Sequence, residues 1–342
     1  MKLIINYSVN QINTQPVKIK NKKICNKNRK ALTNAINSFI KMKKLFSIFL
    51  IAIFALASAQ NNDSKETANR FFYELTFKPK KDSAKIEKVI TILDITGKKS
   101  IYQDYTMPAQ DSIIKIQMDE MEKTKSFKDL SKLIRWPKFS YKIIKTYPDM
   151  KVQYVDRISR NLFSYDDVIK LNWSILQDKQ KIGEYNTQKA TTEFGGRKWT
   201  AWFSTDIPFQ DGPYKFYGLP GLIVKIEDSE KNYSWQLSGN KKIEGYDELS
   251  YADKINARMG MMSNSITPTS KEKFIKSYES YKADPFAETR PYMTSENMNR
   301  PMPGTSGTVG DFMKRMEKQV KDFFGSNDNP IEKTSESGKK NK

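Results

Sequence analysis

The chain has 342 residues, with 59 Lys and Arg against 39 Asp and Glu for a formal net charge of +20, no histidine and a single cysteine, Cys25. This composition excludes an internal disulfide, Ser-His-Asp and Cys-His relays, and the ordinary zinc sites built from Cys and His. A hydrophobic core alone must therefore hold the fold, and a chain of this length buries roughly 70 to 75% of its unfolded surface, enough for one core.

Residues 1–41 are a Lys- and Asn-rich string without an acidic residue and read as an extension upstream of the true start, Met42. From there MKKLFSIFLIAIFALASAQ sets Lys43 and Lys44 before an apolar run at 45–56, then Ala57-Ser58-Ala59 before Gln60, the three-part layout of a secretory signal peptide. A helix needs about 20 apolar residues to cross a bilayer, more than this run supplies. Cleavage before Gln60 and an exported product without a transmembrane anchor are expected. Eleven of the Lys and Arg fall in residues 1–59, leaving 48 against 39 acids, a net charge of +9. Acids interleave with what remains and no RNA- or DNA-binding motif accompanies it, so nucleic acid is not an expected partner.

Period-two patterns predict strands from Phe71 onward. RFFYELTFKP and KIEKVITILDI form a hairpin around a turn at 79–82, and Gly97 ends the second strand. In 109–134, Ile114, Met118 and Met121, then Leu130, Leu133 and Ile134, recur at helical spacing and predict one or two helices, stopped by Pro137. FSYKIIKTY and KVQYVDRI make a second hairpin around Pro148-Asp149, and LNWSIL opens a third set of strands at Leu171. Gly195-Gly196 has the composition of a two-residue hairpin turn with positive φ at both positions. Beyond it Trp199, Ala201 and Phe203 share one face and Thr200, Trp202 and Ser204 the other. YSWQLSG is expected to end at a Gly239-Asn240 turn. The result is a mainly β, antiparallel fold, a strongly curved sheet, open barrel or sandwich with a few helices, and α+β is the fallback.

In Gly218-Leu219-Pro220-Gly221-Leu222-Ile223, proline presets φ at one central position and Gly221 can supply positive φ at the next, which predicts a type II turn. The strand that follows is expected to turn Leu222, Val224 and Ile226 inward and Ile223, Lys225 and Glu227 outward. A phosphate-gripping loop would lead into a helix instead, so the hexapeptide reads as a structural corner. It also resembles the signature of the GLPGLI family of Bacteroidota exported proteins. The stretch YNTQKATTEFGGRKWTAWFSTDIPFQDGPYKFYGLPGLIVKIED is similar to the family core, and RFFYELTFK and NPIE to its margins. Many members have a cysteine where this chain has Thr187, so a thiol role there cannot apply. The resemblance implies a β-rich envelope protein of unestablished activity. No separate sorting domain is legible after Pro285, which favours the periplasm over the cell surface or extracellular space.

The domain organisation read from these features is a GLPGLI-type domain at 60–284, a flexible Pro- and Met-containing loop at 285–308, an amphipathic helix and family margin at 309–332, and a polar tail at 333–342. Met293, Met298 and Met302 fall at no strict repeat and read as part of the flexible segment rather than as soft metal ligands; neither metal nor cofactor is expected. Val309, Phe312, Met313, Met316, Val320, Phe323 and Phe324 form one helical stripe, suited to docking on the domain or, at 311–324, to a membrane surface.

Catalytic candidates are sparse. The acid pairs Asp166-Asp167, Asp119-Glu120 and Glu227-Asp228 could in principle serve glycoside or peptide hydrolysis. Ser-x-x-Lys matches at Ser112/Lys115, Ser270/Lys273 and Ser337/Lys340 arise by chance in so Lys-rich a chain. The first expectation is a non-enzymatic binding or interaction protein, with Trp199, Trp202, Tyr217 and Trp235 as candidate ligand-facing aromatics for a hydrophobic molecule. The alternatives are a carboxylate-based hydrolase and a structural partner of outer-membrane machinery.

Overall fold

The computed structural model describes residues 66–333 except 127, 129, 131–134, 261 and 303–305. The upstream extension, the leader, the expected helical positions Leu133 and Ile134, and the tail beyond 333 lie outside the described residues.

Twelve strands form one open sheet: β1 (Ala68–Phe77), β2 (Glu87–Ile95), β3 (Lys99–Asp104), β4 (Lys142–Thr146), β5 (Lys151–Ile158), β6 (Asn161–Asp167), β7 (Ser174–Ile182), β8 (Tyr185–Phe194), β9 (Arg197–Ser204), β10 (Leu222–Asp228), β11 (Tyr233–Ile243) and β12 (Ile266–Pro268). Their order is β12-β6-β5-β4-β3-β2-β1-β11-β10-β9-β8-β7. Every adjacent pair is antiparallel except β12 with β6. Five α-helices are described: α1 (Thr106–Thr124), α2 (Tyr251–Arg258), α3 (Lys271–Ala283), α4 (Ser295–Met298) and α5 (Val309–Gly325). The class is mainly β, as the alternation predicts.

Side-chain alternation sorts the sheet into two faces. On one, Phe71, Tyr73, Leu75 and Phe77 of β1 join Leu93, Tyr102, Ile143, Trp199, Ala201, Phe203 and Trp235 in a continuous core. On the other, α1 packs against α2 and β2, and the buried Asp94 carboxylate takes a two-pronged ion pair from Arg70 at 2.6 and 2.7 Å. Both expected hairpins are present, β1–β2 and β4–β5. Gly195 and Gly196 turn β8 into β9 at φ of 59° and 70°.

Several expectations are corrected. β3 and β6 escaped the pattern; in β3 both faces are covered, so Ser100, Gln103 and Asp104 are buried and no alternation shows. α2 and α3 were also missed, although Ser250 and Ser270 cap them with side-chain oxygens. Gly239-Asn240 is not a turn, for β11 runs through it. The register there slips by one residue, Phe72 facing Gly239 and Tyr73 facing Leu237, so the glycine sits beside a bulge. Residues 285–308, expected as a loop, contain a 3-10 turn at Arg290–Tyr292 and the short α4.

The hexapeptide is a corner, but not a type II turn. Positive φ falls on Gly218, at 90°, and Gly221 is not among the positive-φ glycines. Gly221 is required for close approach instead: a Cβ there would lie 2.1 Å from the Ser204 carbonyl oxygen. The next strand also departs from strict alternation. A register shift between Ile223 and Lys225 buries Leu222, Ile223 and Val224 in succession.

Gly221→Ala is expected to destabilise the fold by more than about 3 kcal/mol, because the clash is with backbone that cannot rotate away. Gly97→Ala, where a Cβ meets nothing within 4 Å, should change stability by less than about 0.5 kcal/mol. Urea denaturation of the two variants checks the contrast.

Candidate functional site

Between β9 and β10 the chain leaves the sheet, and residues 205–221 cross its apolar face. Tyr214, Phe216 and Leu219 from this crossing are buried in the core. Phe216 meets Trp199 edge-on at 4.8 Å between ring centroids, and Tyr214 stacks over Trp235 at 6.3 Å. Irregular backbone over an apolar face brings carbonyls with no ladder partner, and each buried one is costly if left unpaired.

Lys145 of β4 answers that demand. It shares its strand face with Ile143 and is fully buried. Its Nζ donates to the carbonyls of Gly212 at 2.7 Å, Tyr214 at 3.2 Å and Phe216 at 3.4 Å, and forms an ion pair with Asp211. The Tyr147 hydroxyl donates to the other Asp211 oxygen at 2.5 Å. Burial pulls the Lys145 amine below its ordinary value, and the Asp211 carboxylate opposes that pull. The ammonium thus works as a three-way donor to the crossing, held in place by one buried acid.

Arg197, the first residue of β9, performs the same task for a second crossing. Its face is that of Trp199, Ala201 and Phe203. The guanidinium donates to Asp228 at 3.0 Å, to the Asn329 side chain at 2.7 Å, and to the carbonyls of Pro330 and Ile331 at 2.9 Å each. Asn329 donates onward to Lys78 O at 3.0 Å, and Tyr233 donates its hydroxyl to Asn329 O. Residues 329–332 therefore strap the face from the C-terminal side. The strap also needs the Gly195-Gly196 turn, where a Cβ on Gly195 would come within 3.1 Å of three Glu332 atoms.

Crossing and strap meet at Lys215. Its Nζ reaches Asp167 of β6 at 2.5 Å and also pairs with Glu332, which accepts a further hydrogen bond from Tyr214 at 2.5 Å. Lys271 of α3 binds the other Asp167 oxygen at 2.8 Å. Burial would raise the Asp167 carboxyl, but Lys215 and Lys271 outweigh it and hold it below the ordinary carboxylate range. Beside this cluster Tyr154, Tyr165 and Phe274 pack together at 5.1 to 5.6 Å. Asp156 lies near them, 1% exposed, accepting from Arg157 N at 2.7 Å and Ser140 at 3.2 Å. Burial pushes its carboxyl up to about 6.

The sequence-predicted residues distribute unevenly over this arrangement. Trp199 and Trp235 lie in the core at 1% and 0% exposure; their indole N–H groups are satisfied by Phe194 O and the Tyr102 hydroxyl. Trp202 sits half-buried on the opposite face under Lys189, and Tyr217 is half-buried, donating to Ile169 O at 3.0 Å. Trp199 and Trp235 pack on each other at 5.9 Å between ring centroids, and Tyr217 packs against the same core. Of the acid pairs, Asp167 and Asp228 are taken up by Lys215 and Arg197, Asp166 pairs with Lys151, and Glu120 with Lys128. Ser270 caps α3, and Ser337/Lys340 lies outside the described residues. Thr187 is buried and donates to Gln180 O at 2.7 Å. Among the described residues no group of three or more His, Cys, Asp or Glu could hold a metal ion, and no helix is long and apolar enough to cross a membrane. Lys145, Arg197, Asp211, Lys215, Asn329 and Glu332 were not singled out. For Lys145 and Arg197 a signal existed: each charge stands on the apolar parity of its strand.

A family model described as a protein of unknown function (Porph_ging) matches residues 195–225, from the Gly-Gly turn through the crossing and the hexapeptide into β10. Among solved structures the chain is similar to PNGF-II in its C2 crystal form, with 15% identity and a TM-score of 0.43 over 64% of this chain and 33% of that one. The P21 form gives 16% identity and a TM-score of 0.40 over 62% and 33%. The chain thus spans about a third of the length of the protein it matches. No curated protein matches the chain.

Removing the Lys145 charge by Lys145→Met strands a buried Asp211 and three carbonyls, and should cost about 3 to 5 kcal/mol. Lys145→Met with Asp211→Leu should lose less than the sum of the single variants, measured as a double-mutant cycle in urea. A second prediction concerns pH. The Asp156 pKa is raised by folding, so the native state holds its proton after the unfolded chain has released it, and stability falls as pH rises from about 4 to about 6. Asp156→Asn removes this loss, so its stability relative to the parent should rise across that window by roughly 2 to 3 kcal/mol and stay level above it.

Proposed function

We propose that the chain is an exported, non-enzymatic binding or interaction protein of the GLPGLI type, acting in the periplasm of the cell envelope. The observation that carries this reading is the use made of the charged groups around the family motif. Lys145, Arg197 and Lys215 hold the protein's own loop and strap across the sheet face, and the acids that face them are consumed as ion-pair partners. A site built in this way presents a fixed scaffold and leaves recognition to its outer surface. The leader at 42–59 supports export, and its partner would be a hydrophobic small molecule or another envelope protein.

A carboxylate hydrolase needs one acid that can give up a proton to a bound substrate. Asp167 and Glu332 do converge, but on the Lys215 ammonium between them, which favours the ionised form of Asp167. Asp156 has the raised pKa of a proton donor, yet it lies 1% exposed beside Ser140 and the Tyr154 ring. Neither arrangement supports substrate access and proton donation together.

Native mass spectrometry of the mature chain, recovered gently from its own envelope, is expected to show a defined complex or a reproducible bound mass. A bare monomer that cleaves glycan or peptide would overturn the proposal.

A further inference from the structure

The described residues include no cysteine, for Cys25 lies upstream of them, so a covalent staple within them cannot be a disulfide. Two lysines among them are almost wholly buried against a carboxylate, Lys145 on Asp211 and Lys215 on Asp167. An amine and a carboxyl group held together away from water can condense to an amide, because their effective concentration far exceeds that of free reactants. The product also replaces two buried charges, which are costly to keep, with one neutral group.

The two pairs differ in what the nitrogen must do afterwards. Lys145 serves the carbonyls of Gly212, Tyr214 and Phe216. An amide nitrogen keeps one hydrogen, so condensation there would strand at least two of them. The Lys215 Nζ instead donates to two carboxylates, Asp167 Oδ2 at 2.5 Å and Glu332. Once joined to Asp167, its single N–H still has Glu332 as acceptor, and the remaining oxygen, Asp167 Oδ1, still has Lys271 Nζ at 2.8 Å. Every polar group of the product keeps a partner.

The surroundings suit the step as well. The rings of Tyr154 and Tyr214 stand 5.4 and 5.3 Å from the Lys215 Nζ. The Lys215 and Asp167 side chains are 1% and 9% exposed, while Glu332, at 27%, is partly open to solvent and gives released water a way out.

We propose that Lys215 and Asp167 condense to an amide cross-link, with Glu332 as the proton carrier. A first proton passes from Nζ to Asp167 Oδ2, leaving an amine and a carboxylic acid. Lys271 opposes this transfer, since it favours the carboxylate. The same ammonium then steadies the negative charge that Oδ1 takes when the amine attacks Cγ. Glu332 accepts the second proton from the nitrogen and delivers it to Oδ2. The Nζ–Cγ bond forms, the Cγ–Oδ2 bond breaks, and one water leaves. The ammonium and the carboxylate supply every atom, so the step needs no co-reactant. The amide ties β6 to the 205–221 crossing and closes a ring from 167 to 215 around β7, β8 and β9, constraining the unfolded chain as a disulfide of that span would. The cross-link is independent of the binding reading.

The intact mass of the denatured protein, taken from its own cells and with its N-terminus determined, is expected to fall short of the sequence mass by one water. Trypsin does not cut after an acylated lysine, so digestion should yield one branched peptide joining residues 161–170 to 199–225, with fragment ions placing the link between Asp167 and Lys215. Lys215→Arg should carry its full sequence mass. Glu332→Gln should form the link at least about a hundredfold more slowly, followed in protein whose near-ultraviolet circular dichroism still reports the packed Tyr214 and Trp235. A parent of full sequence mass overturns the proposal without recourse to any variant. So does a lost water placed elsewhere, as by ring closure at Asp211-Gly212. A Glu332→Gln protein that links as fast as the parent overturns the role given to Glu332.

Discussion

An apolar sheet face crossed by irregular chain creates a demand that the sheet itself cannot meet. The crossing brings carbonyls to a place without water and without a neighbouring strand, and each must find a donor. Here two long cationic side chains rise from the sheet to supply those donors. Lys145 reaches three carbonyls of the 205–221 crossing, and Arg197 reaches two of the C-terminal strap. Bringing an ammonium and a guanidinium into the core is itself expensive, and Asp211 and Asp228 offset the charge. The motif and the C-terminal segment are therefore parts of one electrostatic assembly, although more than a hundred residues separate them.

That assembly explains the character of the hexapeptide. Leu219 is buried as a plug while Pro220 remains exposed, and Gly221 lets the chain pass against Ser204 before β10 begins. The Tyr73 hydroxyl then ties Ile223 O to the centre of the sheet at 2.8 Å. Residues 195–225 thus contribute the turn, the crossing and the corner that close the face.

Much of the sheet was legible because the strands with one buried side obey a period of two. β1 and β9 show it, and the Gly-Gly turn announces its own geometry. Legibility failed where both faces are covered, as in β3, and where a bulge resets the alternation, as at Gly239 and Val224. Local sequence carries no record of what will cover a strand. Trp199 and Trp235 illustrate the same limit, because an aromatic on an inward face looks alike whether it lines a pocket or meets Phe216 and Tyr214 from a loop far along the chain.

By itself the sequence determined the class of fold, the places of most turns, and the chemistries closed to a chain without histidine and with one upstream cysteine. These depend on local spacing and on which side chains exist at all. Tertiary structure alone decided that the apolar face is crossed by its own loop and strap, and that Lys145, Arg197 and Lys215 are held there by buried ion pairs and carbonyls. Those outcomes depend on which groups come together across the fold, and a charge on an apolar parity acquires its meaning only from the distant carbonyl or carboxylate that meets it.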